Sequence, residues 1–75
     1  MYTERTRDLS YAAYLHTRGF DLSSTVHEGR VCYWTFDLLD PPDKEYARYL
    51  SGQLVPANAY SDSMKLLKRM AMRRR

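Results

Sequence analysis

Cysteine is nearly missing from this chain. Cys32 is the only one in 75 residues, so no disulfide can close within it. A domain of this size buries only about 60–65% of its unfolded surface. Without a disulfide it depends on compact packing, a metal or a second copy. Cys32 sits inside an apolar stretch and reads as a small buried hydrophobe, and a lone thiol fits a reducing, cytoplasmic setting. Only two histidines are present, His16 and His27; they fall on different elements without the short spacing of zinc ligands. His16 therefore reads as a core histidine with one hydrogen bond, and His27 as a solvated turn residue. The three glycines stand alone, so there is no glycine-rich loop to cradle phosphates. No apolar run approaches the roughly 18 residues of a membrane span, and the opening M-Y-T-E-R-T-R-D lacks a signal-peptide core. The expectation is a cytoplasmic protein with no metal, no cofactor and no membrane contact.

Catalytic signatures are scarce too. Ser23, Ser24 and Ser63 lack the G-x-S-x-G context of a nucleophile elbow. Asp37 and Asp40 are close enough in sequence to suggest a glycosidase pair, but their place at a strand-to-helix junction is explained by capping. We expect no enzymatic activity.

What the chain does have is basic charge at one end and tyrosine throughout. Residues 65–75 hold six basic residues and no acid, while residues 1–64 hold the other six against all nine acids, a net −3. Seven tyrosines are spread along the chain, with Tyr14 expected on the polar face of the first helix. Exposed tyrosines suit a protein interface or base stacking.

The densest apolar stretch is Arg30–Leu38, R-V-C-Y-W-T-F-D-L, with the composition of a buried strand. It places Cys32, Trp34, Phe36 and Leu38 on one face and Val31, Tyr33 and Thr35 on the other. Before it, Phe20, Leu22, Ser24 and Val26 alternate with polar residues, and His27–Arg30 supplies a turn, so the two strands form a hairpin. A first helix is expected over about 7–18, capped by Thr6 or Asp8 and stopped by Gly19. Its inward face is Leu9, Ala12, Ala13 and His16. Asp40-Pro41-Pro42-Asp43 opens a second helix over about 41–51, with Tyr46, Ala47, Tyr49 and Leu50 inward. Leu54 and Val55 anchor a connector, and Pro56 opens a third helix. Tyr60, Met64, Leu67 and Ala71 line its inner face, and Lys65, Lys68, Arg69 and Met72 its outer face. The expected fold is a single α+β domain, α-β-β-α-α, with a two-stranded antiparallel hairpin covered by three helices. Residues 1–5 are a flexible lead, 6–71 the core and 72–75 a basic tail.

Several of these residues together resemble a family of short proteins of prokaryotes, their viruses and mobile elements. The shared features are Thr6-Arg7-Asp8-Leu9, Ala12-Ala13-Tyr14-Leu15, Gly19-Phe20 and the aromatic strand Tyr33-Trp34-Thr35-Phe36, followed by Gly52, Val55-Pro56-Ala57 with Tyr60, and Leu67-Lys68. The resemblance spans nearly the whole chain and implies a fold but no reaction; the arginine-rich ending departs from it.

Two functions are expected from these features. The first is a nucleic-acid-binding protein, DNA or RNA, of low sequence specificity. It would contact phosphates through Lys65, Lys68, Arg69, Arg73, Arg74 and Arg75, joined by Arg5 and Arg7 if the N-terminus folds alongside. The second is a protein-interaction module, an inhibitor or accessory subunit of a larger complex. A homodimer is expected in either case, because Val31, Tyr33 and Thr35 form a face that the remaining chain is too short to cover. That face and Tyr14 are the expected partner interface. A membrane-surface role for the last helix ranks last, since the core cannot spare its apolar face.

Overall fold

The structure, a computed structural model, describes residues 1–72. Its elements run β1 (Tyr2–Thr6), α1 (Leu9–Thr17), β2 (Asp21–Glu28), β3 (Val31–Leu38), α2 (Pro42–Leu50) and α3 (Ala57–Met72). The α+β class and the three helices match expectation, but the sheet has three strands instead of two, in the order β1-β3-β2 and all antiparallel. The flexible lead is β1. It pairs along β3 from Tyr2 opposite Leu38 to Thr6 opposite Trp34. β1 and β2 are thus parallel edge strands linked through α1, and β3 is slotted between them.

β3 alternates buried and half-buried along its whole length, with Cys32, Trp34, Phe36 and Leu38 turned to the core. β2 departs from its expected period. A bulge between Leu22 and Ser24 shifts the register, so that Leu22 faces Phe36 but Ser24 faces Thr35 and Val26 faces Tyr33. One extra residue in a strand moves every later side chain to the other face. Ser24 and Val26 therefore point outward, and Thr25 and His27 inward. His27 is not a turn residue: it lies in β2, its Nε2 donating to the Ala71 carbonyl at the end of α3, 3.3 Å away.

α1 is the hub of the helical layer. Its residues Tyr11 to Leu15 are all buried, the signature of a helix covered on every side. The sheet lies under it, α2 contributes a tyrosine cluster on one flank and α3 closes the other. Tyr14, expected on the polar face, is only 2% exposed, so it cannot belong to a partner interface. Small Ala12 and Ala13 allow close approach. At the α1–α3 seam, His16 Nδ1 lies 2.7 Å from Ser63 Oγ, which agrees with the reading of His16 as a hydrogen-bonded core residue.

The helix ends follow their chemistry. Asp8 caps α1, its Oδ1 accepting from the Ser10 and Tyr11 amides. Gly19 and Gly52, at φ +96° and +85°, close α1 and α2 in Schellman turns: Phe20 N–H reaches the Leu15 carbonyl, and Gln53 N–H reaches that of Arg48. Asp40 does not cap α2, whose N-cap position is Pro41 and which has no side-chain cap; Asp40 pairs with Arg48 instead, at 2.8 Å. Of the expected inward residues of α2, Tyr49 packs against the core, but the others do not sink into it. Leu50 is 67% exposed and Ala47 is exposed, and Glu45 is the residue that α2 sinks into the core. In the following connector Leu54 is exposed and Val55 half-buried.

Candidate nucleic-acid interface

β1 and its connector bring Arg7 across the sheet end. The β2–β3 turn presents Arg30 beside it, and α3 presents Lys68. These three cations rim one recess of about 330 Å³. Its walls include Trp34, Cys32 and Met72. A second recess, of about 400 Å³ and mostly apolar, adjoins it: Tyr60 and Met64 of α3 lie under Lys65 and Lys68, and Leu9 and Lys68 border both. Among the described residues Arg7, Arg30, Lys65, Lys68 and Arg69 have no carboxylate partner, because the four ion pairs use Arg5, Arg18 and Arg48 only.

Trp34 adds a polar group to the basic recess. It is buried, and its indole N–H has no hydrogen-bond partner among the described residues. An unpaired buried donor costs roughly 1–3 kcal/mol. Three cations without a carboxylate partner thus line one recess that has Trp34 in its wall. Burial pushes the Cys32 thiol above its ordinary pKa, which leaves it neutral and unreactive in the same wall.

The expected phosphate-contacting residues divide. Lys65 and Lys68 line the recesses, while Arg69 is exposed on α3 but borders neither. Arg73, Arg74 and Arg75 lie outside the described residues. Arg7 joins the patch. Arg5 does not: its guanidinium lies on the outer sheet face, 4.1 Å over the Tyr33 ring and 2.9 Å from Glu28. Arg30 and the Trp34 indole were not anticipated. Arg30 reads locally as a turn residue, and its approach to Lys68 depends on where the hairpin end meets α3.

The outer sheet face holds the rest of the expected interface. Val31, Tyr33 and Thr35 are half-buried there, with Val26 exposed beside them.

Ser63 and His16 have the spacing of a nucleophile and base, but Ser63 is 5% exposed between α1 and α3, with no room for an acyl substrate at its Oγ. Glu45 is 1% exposed and fully engaged. It accepts from the Tyr14 hydroxyl at 2.6 Å, from Arg18 Nε at 2.9 Å and from Arg48 at 2.7 Å. Burial pulls its pKa up, but these three hydrogen bonds outweigh it and hold the carboxyl below its ordinary value. The Tyr14 phenol is pushed up to about 12 by burial and by donating to that carboxylate. Among the described residues no group of three or more His, Cys, Asp or Glu side chains is arranged to hold a metal ion. No helix among them is long and apolar enough to cross a membrane.

No family model matches this chain, and no curated protein or solved structure matches it either.

Proposed function

We propose that this chain is a small, non-enzymatic nucleic-acid-binding protein that grips the phosphate backbone at the surface shared by β1, the hairpin end and α3. The observation that carries this reading is the convergence of Arg7, Arg30 and Lys68, from three separate elements, on one recess with Trp34 in its wall. Lys65 continues the cationic line along α3, and Arg73–Arg75 extend the charge in sequence. Backbone contacts of this kind release counterions and carry little sequence information.

The Tyr60–Met64 recess beside Lys65 and Lys68 favours a single strand over a duplex, because an unpaired base can leave its stack and settle on an aromatic or thioether surface. Fluorescence anisotropy with a labelled single-stranded oligonucleotide tests the proposal. The four described cations that line the recesses, Arg7, Arg30, Lys65 and Lys68, give a salt slope of about −2.8 on logarithmic axes, or roughly 150-fold weaker binding between about 50 and 300 mM salt. Equal affinity at the two concentrations overturns it.

A second reading, an interaction module that pairs with itself or a larger complex, draws on the outer sheet face. Val26, Val31 and Tyr33 present apolar surface there that the three helices, packed on the other face, leave open. In sedimentation this reading predicts a dimer that forms below about 100 μM and is lost in Tyr33→Glu; a wild-type chain that stays monomeric throughout contradicts self-pairing.

A further inference from the structure

A third recess, of opposite sign, lies across the β1–α1 connector from the basic one. Along that connector Arg7 and Leu9 border the basic side, while Thr6 and Asp8 border this one. The recess measures about 290 Å³, and Glu4, Asp43, Tyr11 and Tyr46 complete its wall. Among the described residues no basic side chain lines it.

Three features here oppose the stability of the isolated chain. First, Glu4 and Asp43 are brought together without a cation between them. Burial first, and then the Asp43 charge, raise the Glu4 pKa, and neither carboxylate has an ion-pair partner among the described residues. Second, Tyr11 is 2% exposed, yet its hydroxyl has no hydrogen-bond partner among the described residues. After burial itself, the Glu4 carboxylate is the strongest influence on that phenol, and both residues line the recess. Third, the Tyr46 ring stays 44% exposed, edge-on to Tyr11 at 5.0 Å, although the tyrosine cluster around it is otherwise packed. A planar cation would answer all three at once. It would neutralise two carboxylates, donate to the orphaned phenol oxygen and lie against an open aromatic ring.

We infer that the recess bounded by Glu4, Asp43, Tyr11 and Tyr46 is a binding site for a guanidinium group. Two separated carboxylates and a third acceptor suit the fork of N–H donors on a guanidinium better than the compact point charge of an ammonium. Asp8 contributes charge through the carboxylate oxygen its cap leaves free; its other oxygen, Oδ1, is held by the Ser10 and Tyr11 amides. The group can come from a free small molecule or from an arginine on a protein surface.

The test is a two-dimensional NMR titration of the full chain with Nα-acetyl-arginine methylamide, its neutral citrulline counterpart and n-butylammonium. The expected result is saturable shifts at Glu4, Tyr11, Asp43 and Tyr46, with a dissociation constant on the order of 1–10 mM for so small a probe. The citrulline probe should give none, and n-butylammonium should bind at least about threefold more weakly. An arginine-containing peptide that binds at least about tenfold more tightly than the free probe assigns the source to a protein surface; equal affinity assigns it to a free small molecule. Both sources satisfy the site.

Glu4→Gln should weaken the arginine probe about tenfold and Tyr11→Phe about three- to tenfold, and neither should lower the melting temperature, since each removes an unfavourable group. A purely structural role would move stability without this opposite change in binding. Binding should also weaken as pH falls through the raised Glu4 range, because protonation removes half of the carboxylate pair. No saturation by about 50 mM, citrulline shifts of equal size, or unchanged affinity in Glu4→Gln overturns the assignment. This site does not depend on the nucleic-acid reading, and the probe carries no phosphate.

Discussion

Glu45 shows how much one buried charge can organise. It joins α2 to α1 through Arg18 and Tyr14, and Arg48 ties it back to Asp40. A buried ion pair adds little relative to a well-packed apolar core, but breaking one by removing a partner is strongly destabilising. Glu45→Gln leaves Arg18 facing a neutral amide and should lower stability by about 2–3 kcal/mol, a fall in melting temperature of roughly 10–20 °C by thermal unfolding. The pH dependence follows from the depressed carboxyl pKa. The stabilisation is fully present above the ordinary glutamate range and is lost as pH falls through the lower folded value. The difference between wild type and Glu45→Gln should therefore shrink in acid. A difference that holds constant down to about pH 2 contradicts the role given to the carboxylate.

At the scale of elements, β1 departs most from what the residues suggest locally. Tyr-Thr-Glu-Arg-Thr has no apolar alternation, and its inward positions are Tyr2, Glu4 and Thr6. It is a strand because β3 has a second edge to satisfy, and its charges protect the new outer edge from further pairing. The clue in the sequence was the apolar character of both faces of Arg30–Leu38, which marks a central strand. Hydrogen exchange separates the two descriptions. The β1 amides bonded to β3 should exchange at least about 100-fold more slowly than an unfolded chain, whereas a frayed lead would exchange at the unfolded-chain rate.

The hairpin, the helix ends at Gly19 and Gly52 and the inward face of α3 were legible because each rests on local chemistry or simple periodicity. The bulge at Ser23, the burial of Tyr14 and the sinking of Glu45 were not. Each is settled by a partner distant in sequence: Thr35 for the bulge, Glu45 for Tyr14, Arg18 for Glu45. The candidate site divides the same way. Lys65 and Lys68 stand out as a helical stripe, but Arg7 and Arg30 join them only through tertiary placement.

For the whole molecule, the chain separates opposite charges on either side of one connector. Arg7, Arg30 and Lys68 line a recess with Trp34 in its wall, and Glu4, Asp8 and Asp43 line one with Tyr11 in its wall. The outer sheet face carries neither cluster. A protein built in this way should respond to salt at its basic recess through specific residues, not only through net charge. Arg30→Ala and Lys68→Ala should each weaken single-strand binding about three- to tenfold and reduce the salt slope by about 0.7, while Arg69→Ala should change affinity less than about twofold.

The most direct measurement is single-strand affinity followed through the emission of Trp34, the only tryptophan in the chain, across roughly 50 to 300 mM salt. Binding at the basic recess predicts an emission change on saturation, a logarithmic salt slope of about −2.8 for wild type and about −2.1 for Arg30→Ala. Binding that leaves Trp34 unchanged, or an affinity equal at both ends of the salt range, would contradict it.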